Sequence, residues 1–354
     1  MRVALIAPPF IPVPPKVYGG TELFLAELAK GLKKLGAEPI VYANGESTVD
    51  VEVRSIYDES EWPLSSEIFG SLKDINHTAW AVQDALSCCD VIHLNNAPGL
   101  ACSRFINKPV IYTLHHAKEQ WLSDFYSFYP EVEFVTISDF QRSRETMPLG
   151  RTIHHGIDTA LYPCKEQKQE YLSFLGRLAP VKGPHLAIEV AKRTGIPLKI
   201  AGEVQPLFKD YFERMVKPHI DGKFVEYLGE ADLTTKNELL GSSKALLFPI
   251  QWDEPFGIVL IEAMACGTPV LAFPGGSVAE IVRDGVAGYV CDTIDTMVER
   301  LRNLKIPPHL PRKYVEKFFS TEVMARKYKE LYEDVVTRNI SPDPELTESE
   351  SAAA

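Results

Sequence analysis

The chain has 354 residues, of which 45% are hydrophobic and 24% are charged, and its formal net charge is −11. This composition is typical of a globular protein, and the length predicts two domains rather than one. The negative net charge argues against a nucleic-acid-binding protein and against general attraction to an anionic membrane. Since no apolar run approaches the ~20 residues that a membrane-spanning helix needs, no transmembrane segment is predicted.

The cysteines show neither a C-x-x-C pair nor a zinc-ligand spacing, so we expect reduced thiols, no metal site and a cytoplasmic location. The first apolar run is short and is followed at once by prolines, so it predicts a buried strand and not a signal peptide. The six cysteines are Cys88, Cys89, Cys102, Cys164, Cys266 and Cys291.

The first half of the chain alternates apolar runs with amphipathic stretches, which predicts a mostly parallel sheet covered by helices on both faces. The clearest helix is Thr21–Leu35, where leucines recur at helical spacing; Thr21 is the predicted N-cap and Gly36 the predicted stop. Further helices are predicted at Glu67–Ser87 and Asp139–Glu145. The predicted strands are Val3–Ala7, Pro39–Ala43, Val51–Ile56, Asp90–Asn95, Pro109–Leu114, Glu133–Ile137 and Thr152–His154.

A polar stretch, Asp158–Gln169, predicts a linker, and a second alternating series follows it. Its predicted strands are Tyr171–Leu175, Leu198–Ala201, Phe224–Leu228, Ala245–Pro249, Pro269–Phe273 and Gly288–Cys291. Its predicted helices are His185–Arg193, Leu207–Val216, Lys236–Ser242, Ile258–Cys266, Val278–Arg283 and Thr296–Asn303. After a proline-rich break, Tyr314–Val336 predicts one more helix, and the acidic tail beyond it is expected to be disordered.

Two carboxylates, Glu254 and Glu262, mark the most informative segment. Glu254 lies on the loop after a predicted strand, and Glu262 lies inside the helix that follows. In a parallel sheet such a loop lies at the carboxyl edge, where open α/β sheets bind ligands. Free amides at the helix start suit an anion. A phosphate site between two acids therefore indicates an activated sugar as ligand. The amides concerned belong to Phe256, Gly257, Ile258 and Val259.

Three other loops carry candidate ligand groups, each with a plain structural alternative. Gly19-Gly20 opens the first helix and either admits a ligand close to the backbone or forms a tight turn. Arg177 and Lys182 follow the first strand of the second half and either grip a diphosphate or are solvated. His115 ends a buried strand and either contacts a phosphate or sugar hydroxyl or has a structural role.

The histidine pair His154-His155, with Gly156, precedes the linker and is interpreted as a hinge rather than a ligand contact. The chain contains no Asp-x-Asp motif, which many sugar-nucleotide enzymes use to hold a divalent ion. We therefore predict chemistry that needs no metal, with Arg177, Lys182 and the helix amides supplying charge compensation.

Taken together, these segments resemble the retaining glycosyltransferases of family four, which have the GT-B fold, and among them the bacterial group of the avilamycin-pathway enzyme. The resemblance runs from the first strand to about Val336. The matching segments are GGTE, TLHH, FLGRLAPVKG, LKIAGE, EYLGE and PIQWDEPFGIVLIEAMACGTPV, the last with the E-x7-E element.

The resemblance implies two Rossmann-like doubly wound domains that face each other across a cleft, with a C-terminal helix crossing back to the first. The implied parts are an acceptor domain at 1–160, a nucleotide-sugar donor domain at 161–312, the returning helix at 313–336 and the tail at 337–354.

It also implies residue roles. Glu254 is a catalytic residue at the reacting centre and contacts the donor sugar together with Phe256 and Gly257, and Glu262 binds the ribose. Arg177 and Lys182 hold the diphosphate together with the backbone of Gly20, Gly257, Ile258 and Val259, and His115 serves donor binding and catalysis. Two departures leave contacts open: His155 stands where many members have asparagine, and Gly202-Glu203 replaces a Gly-x-Gly.

The implied reaction is hexosyl transfer with retention from a nucleoside-diphosphate sugar, by default a UDP or GDP sugar, with no cofactor. The acceptor is a carbohydrate, a small molecule or a lipid-linked hydroxyl. Loops at Tyr57–Ser66 and Lys118–Pro130 are expected to select it, although the aromatic residues of the second loop equally suit a packed core. An epimerase or phosphorylase of the same fold, and a non-catalytic nucleotide-sugar-binding protein, stay open as alternatives.

Overall fold

The computed structural model describes residues 1–17, 19–62, 64 and 66–340. The predicted disorder of 341–354 concerns residues outside this range, whereas 337–340 belong to the last helix, so the predicted start of the tail is wrong. Among the described residues, no helix is long and apolar enough to cross a membrane.

The first domain contains a six-stranded parallel sheet in the order β3-β2-β1-β4-β5-β6. Its strands are β1 Arg2–Ile6, β2 Glu38–Tyr42, β3 Glu52–Arg54, β4 Val91–Leu94, β5 Val110–Thr113 and β6 Glu133–Val135. Its helices are α1 Gly20–Lys34, α2 Glu67–Cys88, α3 Leu100–Ser103, α4 Gln120–Tyr126 and α5 Asp139–Arg144.

The second domain repeats this topology, with strand order β12-β11-β10-β7-β8-β9. Its strands are β7 Leu172–Leu175, β8 Leu198–Ala201, β9 Val225–Tyr227, β10 Ala245–Phe248, β11 Val270–Ala272 and β12 Gly288–Val290. Its helices are α6 Pro184–Thr194, α7 Lys209–Tyr211, α8 Leu233–Ser242, α9 Ile258–Ala265, α10 Val278–Ile281 and α11 Ile294–Arg302, and the chain ends in α12 His309–Phe318 and α13 Thr321–Ile340.

The strands are buried on both faces, which explains their continuous apolar runs. In β10, Leu246 and Phe248 belong to one core, while Ala245 and Leu247 belong to the core on the opposite face. Side chains alternate between the faces of a strand, so both layers of helices need apolar partners from the same short segment. The predicted fold class, two doubly wound parallel sheets, is confirmed.

Three local predictions are wrong. The N-cap of α1 is Gly19, with a φ of 146°, and not Thr21, because the chain enters the helix through a conformation that favours glycine. Thr152–His154 makes a single parallel bridge from Thr152 to Thr136, since the chain leaves the sheet there. The long C-terminal helix is broken into α12 and α13.

The break between α12 and α13 lies where the chain returns to the first domain. Ile157, on the linker, donates its amide to Phe319 O at 3.0 Å and accepts the amide of Thr321 at 3.0 Å. Both chain crossings between the domains are thus paired to each other. A Cβ on Gly156 would lie 2.3 Å from Ser320 O, so only glycine permits this approach.

Beyond the break, α13 packs on α1 of the first domain, and Gly31 is the point of closest approach. A Cβ on Gly31 would lie 2.4 Å from Cβ of Ala325. The ion pair between Lys30 and Asp158 and the hydrogen bond from Thr321 to Glu27 flank this contact. Because Gly31 has no side chain, α13 can pack closely against α1.

We predict that Gly31→Ala lowers stability by about 1–3 kcal/mol, because overpacking separates α1 from α13. Alanine is ordinarily favoured over glycine inside a helix by ~1 kcal/mol, so the sign of the effect is diagnostic. Gly241→Ala is the control, because its added Cβ would meet nothing closer than Lys165 Cδ at 3.4 Å. Thermal unfolding followed by circular dichroism measures both variants; equal melting temperatures would contradict the close packing.

Candidate active site in the interdomain cleft

A cleft of about 340 Å³ lies between the carboxyl edges of the two sheets. Loops that follow β1, β5, β7, β8, β9 and β10 form its walls. Parallel strands direct all these loops to one edge, where doubly wound sheets place their ligands. The lining includes every residue that the sequence predicted for the site: Gly20, His115, Arg177, Lys182, Glu254, Phe256, Gly257, Ile258, Val259 and Glu262.

Two helix starts meet across the cleft. A Cβ on Gly20, at the start of α1, would lie 3.8 Å from Ile258 Cδ1, at the start of α9. The N-caps are Gly19 and Gly257, and neither helix start has a side-chain cap. The first-turn amides therefore lack the acceptor that a serine or aspartate would provide, and two positive helix ends face one space.

Lys182 and Glu254 form a largely buried ion pair at this point, with side-chain exposures of 13% and 8%. Trp252 Nε1 donates to the same oxygen, Glu254 Oε2, at 2.9 Å, and the Lys182 ammonium lies 4.6 Å from the centre of the Trp252 ring. Burial lowers the pKa of Lys182, Glu254 opposes this shift, and nearby Arg177 adds to it. An anion bound in the cleft would reduce the repulsion between Lys182 and Arg177.

Glu262 is only 1% exposed. Its Oε1 accepts hydrogen bonds from Tyr162 at 3.1 Å and from Lys236 Nζ at 3.0 Å. Its Oε2 is buried and has no hydrogen-bond partner among the described residues. An unsatisfied buried carboxylate oxygen costs on the order of 1–3 kcal/mol, so this atom is available to accept a hydrogen bond from a hydroxyl group of a ligand.

The tautomer of His115 is set by its neighbour Asn95, and its protonation state by burial. The Asn95 amide nitrogen donates to the carbonyls of Ile6 and His93, at 3.2 and 3.4 Å, so its oxygen accepts from His115 Nε2 at 2.9 Å. Burial, reinforced by nearby histidines, holds the pKa of His115 well below its ordinary value. The ring is therefore neutral, with an acceptor at Nδ1.

His155 also lines the cleft, although the sequence interpretation favoured a hinge over a ligand contact. Its ring stacks on His115 with the centres 5.6 Å apart and the planes 10° from parallel. Phe24 contacts both rings, and Phe256 contacts His155 at 4.9 Å. Burial lowers the pKa of His155 to about 3. Both stacked imidazoles are therefore uncharged, which avoids repulsion between them.

The Gly202-Glu203 segment, which departs from the family pattern, also reaches the cleft. Glu203 and Glu230 lie on its lining. Burial and the neighbouring Glu230 raise the pKa of Glu203, despite the hydrogen bond from Gln205 that lowers it. At this position, whose contacts the sequence left open, Gly202 lines the cleft together with two acidic side chains, Glu203 and Glu230.

Sequence reasoning missed four residues that complete the site. Tyr162 lies in the predicted linker, Lys236 was placed on a helix without a role, Trp252 stands inside the quoted E-x7-E segment, and Asn95 ends a predicted strand. Only Trp252 carried a signal, its closeness to Glu254 in the chain. The others reach the site through contacts across 20 to 100 residues.

One group of side chains in the described part of the chain could hold a metal ion, and it lies outside the cleft lining. The ligand atoms of Asp139, His154 and Glu280 lie within 4.8 Å of one another at the junction of the domains. The predicted diphosphate residues Arg177 and Lys182 are cations and offer no metal ligand.

Comparison with known proteins places the chain in a family. The family described as “Glycosyl transferases group 1” matches residues 164–318, and “Glycosyltransferase Family 4” matches residues 18–181. The chain belongs to the family-four glycosyltransferases. The two matches together span both domains, so the predicted membership is confirmed and the enzyme is a glycosyltransferase.

One relative is similar to this chain in sequence, and two solved structures are similar to it in fold. A protein of Bacillus subtilis (strain 168), YtcC, provisionally named as a glycosyltransferase, is 26% identical over 330 residues, which are 77% of this chain and 80% of that protein. AviGT4, a glycosyltransferase of avilamycin A biosynthesis, shares the fold with a TM-score of 0.69 at 23% identity, over 95% and 98% of the two chains. Anabaena HepE, solved with UDP and glucose, has a TM-score of 0.73 at 19% identity, over 94% and 100%.

The neutral histidines predict an acid sensitivity. An unfolded histidine binds a proton below a pH of about 6.5, whereas folded His155 does so only near pH 3. Lowering the pH through 6.5 therefore removes stability, by about 1.4 kcal/mol per pH unit for each such histidine.

We predict that His155→Phe, which keeps a ring in the stack, makes the unfolding free energy fall less steeply between pH 6 and pH 4.5. The slope should decrease by about 1.4 kcal/mol per pH unit, the contribution of one proton. Urea unfolding at a series of pH values measures the slope, and the other titrating groups cancel in the comparison with the wild-type protein. Identical slopes would show that His155 is protonated in the folded protein.

Proposed function

We propose that this glycosyltransferase moves a sugar from a nucleoside-diphosphate sugar to an acceptor hydroxyl with retention and without a metal ion. The observation that carries the proposal is the convergence of two uncapped helix starts and two cations beside two buried carboxylates in one cleft. Cations and amides suit the diphosphate, and carboxylates suit the hydroxyls of its two sugars.

The diphosphate is assigned to Arg177, Lys182 and the amides of Gly257, Ile258 and Val259, with Gly20 approaching from the other domain. Lys182 is paired with Glu254. A diphosphate would compete with Glu254 for the Lys182 ammonium and would stabilise the positive charge of Lys182. Binding of the donor is thus expected to rearrange the partners of Glu254.

The two carboxylates differ in what they offer. Glu262 presents its unpartnered Oε2 and is assigned to the ribose hydroxyls. Glu254 lies on the loop that leads into α9, beside Phe256 and Gly257, and is assigned to the donor sugar. Its Oε2 already accepts from Lys182 and Trp252, which reduces its strength as a nucleophile and favours an electrostatic role.

His115 is assigned a narrower role than the sequence allowed. As a neutral ring with Nε2–H engaged by Asn95, it presents an acceptor at Nδ1. It can accept a hydrogen bond from a sugar hydroxyl but cannot donate one to a phosphate through that nitrogen. We assign it to orienting the transferred sugar.

In the proposed reaction the bond from the anomeric carbon to the diphosphate breaks, and positive charge develops on the sugar. Arg177, Lys182 and the helix amides stabilise the negative charge on the leaving diphosphate. The acceptor hydroxyl attacks from the same face, and its proton passes to the departing phosphate oxygen. This front-face path uses no enzyme nucleophile and retains the anomeric configuration.

The donor is proposed to be a UDP or GDP sugar, and the fold neighbour HepE, which was crystallised with UDP and glucose, makes the UDP sugar the first to test. The acceptor, a carbohydrate, small molecule or lipid-linked hydroxyl, is proposed to reach the sugar from the first domain. In the predicted acceptor loop, Tyr126 and Tyr129 belong to the core, whereas Trp121 and Phe128 are exposed by 64% and 66%. The exposed pair is therefore the part of this loop available to an acceptor.

We predict that one nucleoside diphosphate among UDP, GDP, ADP, CDP and TDP raises the melting temperature, because binding to the native state stabilises it. EDTA should leave that rise unchanged if no metal takes part. Arg177→Ala and Lys182→Ala should reduce it, whereas Lys223→Ala, an exposed lysine of the same domain, should not. The absence of any rise, or its loss in EDTA, would overturn the metal-free diphosphate site.

We predict that Glu254→Gln lowers kcat by about 10²- to 10³-fold, the range for loss of one electrostatic stabiliser, and leaves the nucleotide-induced rise in melting temperature in place. Glu166→Gln, at an exposed acid of the same domain, is the control. Proton NMR of the wild-type product reads its anomeric configuration. A configuration opposite to that of the donor, or normal turnover in Glu254→Gln, would contradict the proposed mechanism.

A further inference from the structure

The loop that carries Glu254 is held by the turn that opens α10. The Ser277 amide donates to Glu254 O at 2.9 Å, and Ser277 Oγ donates to Phe256 O at 2.9 Å. Gly276, with a φ of 63°, approaches so closely that a Cβ would lie 2.2 Å from Glu254 O. The position of Glu254 in the cleft therefore depends on the position of α10.

The same short helix reaches the other domain through Glu280. Both oxygens of Glu280 lie 3.0 Å from the Asp139 amide, and its Oε2 also accepts from the Phe140 amide at 3.2 Å. These amides open α5 of the first domain. Glu280 Oε1 also pairs with His154, which lies just before the linker. One carboxylate thus joins the donor domain, the acceptor domain and the hinge.

The charge on Glu280 fits this arrangement. Burial raises its pKa, but hydrogen bonds from His154 and from the two amides outweigh burial and leave the pKa below its ordinary value. Hydrogen bonds to an ionised group are about twice as strong as those between neutral groups. The contact is accordingly a strong one for an interface between two domains.

We propose that Glu280 is a positioning residue, an interdomain clasp that ties closure of the cleft to the placement of Glu254 at the reacting sugar. Opening the domains would break the contacts of Glu280 with α5 and release α10. Since α10 supports the Glu254 loop, the charged group at the reacting centre would lose its support. This inference rests on the proposed transfer reaction.

A second, smaller cleft supports the coupling. It has a volume of about 70 Å³ and lies between Phe140 and Gln141 of α5 on one side and Asp253 and Pro255 of the Glu254 loop on the other. The clasp joins these two elements through α10, which carries Glu280 and supports the Glu254 loop. It therefore also sets the width of an opening directly beside Glu254, on the side of the acceptor domain.

The cluster of Asp139, His154 and Glu280 could alternatively hold a cation. The two amides argue against this, because N–H groups directed at the carboxylate occupy its oxygens and repel a positive ion. Backbone amides at a helix start favour an anion, and Glu280 itself supplies one. The clasp accounts for all the contacts of Glu280 without an ion.

The test compares Glu280→Gln and Glu280→Asp with Asp292→Asn, which removes one charge at an exposed position of the same domain. Three quantities are measured: the radius of gyration by small-angle X-ray scattering without ligand, the rise in melting temperature on adding nucleotide, and kcat. We expect Glu280→Gln to lower the ratio of closed to open protein about 10- to 100-fold. The radius should then increase and kcat should fall at least tenfold, while the nucleotide-induced rise, which depends on the donor domain, persists.

Glu280→Asp keeps the charge on a shorter side chain and should recover part of kcat, whereas Asp292→Asn should behave as the wild-type protein. An unchanged radius and unchanged kcat in Glu280→Gln would overturn the clasp. A rise in the wild-type melting temperature with Zn²⁺ that Glu280→Gln abolishes would replace the clasp by a metal site. If the wild-type protein transfers no sugar, the proposed function fails, but the scattering comparison still decides whether Glu280 holds the domains together.

Discussion

The site depends on the pairing of the two chain segments that cross between the domains. Ile157 on the outgoing linker is hydrogen-bonded on both sides to the returning chain at Phe319 and Thr321. Two independent flexible linkers would allow the sheets to rotate freely, whereas a paired double crossing restricts them to motion about one hinge. This hinge helps to bring together the opposed helix starts of α1 and α9.

Charge burial is the second constraint on the cleft. Lys182, Glu254 and Glu262 are all largely removed from water, and an unpaired buried ion costs several kcal/mol. The structure offsets this cost by pairing Lys182 with Glu254 and Lys236 with Glu262. These four charged side chains of the cleft are thus held in two ion pairs. His115 and His155 avoid this cost because burial lowers their pKa values and keeps both rings neutral.

The spacing of apolar residues predicted the secondary structure well where a strand is buried on both faces or a helix on one face. Strands buried on both faces appear as uninterrupted apolar runs, and α1 shows its stripe of leucines, so both domains could be recognised. The errors fall where tertiary contacts override local preference. Thr21 is a good capping residue, yet Gly19 is the N-cap of α1 because the loop from β1 enters the helix with a positive φ. The run from Tyr314 onward has helical character throughout, yet its pairing with Ile157 interrupts the helix.

The site, like the secondary structure, was determined partly by local sequence and partly by tertiary contacts. The sequence by itself determined which residues lie at the carboxyl edges of the strands, because strand, loop and helix follow one another in the chain: Glu254, Glu262, Arg177 and Lys182 could all be named from spacing. Only the tertiary structure decided that Tyr162 and Lys236 hold Glu262, that Asn95 sets the tautomer of His115, and that Glu280 joins the domains. These are contacts between side chains far apart in the chain, and no local periodicity records which of many possible partners folding will bring within hydrogen-bonding distance.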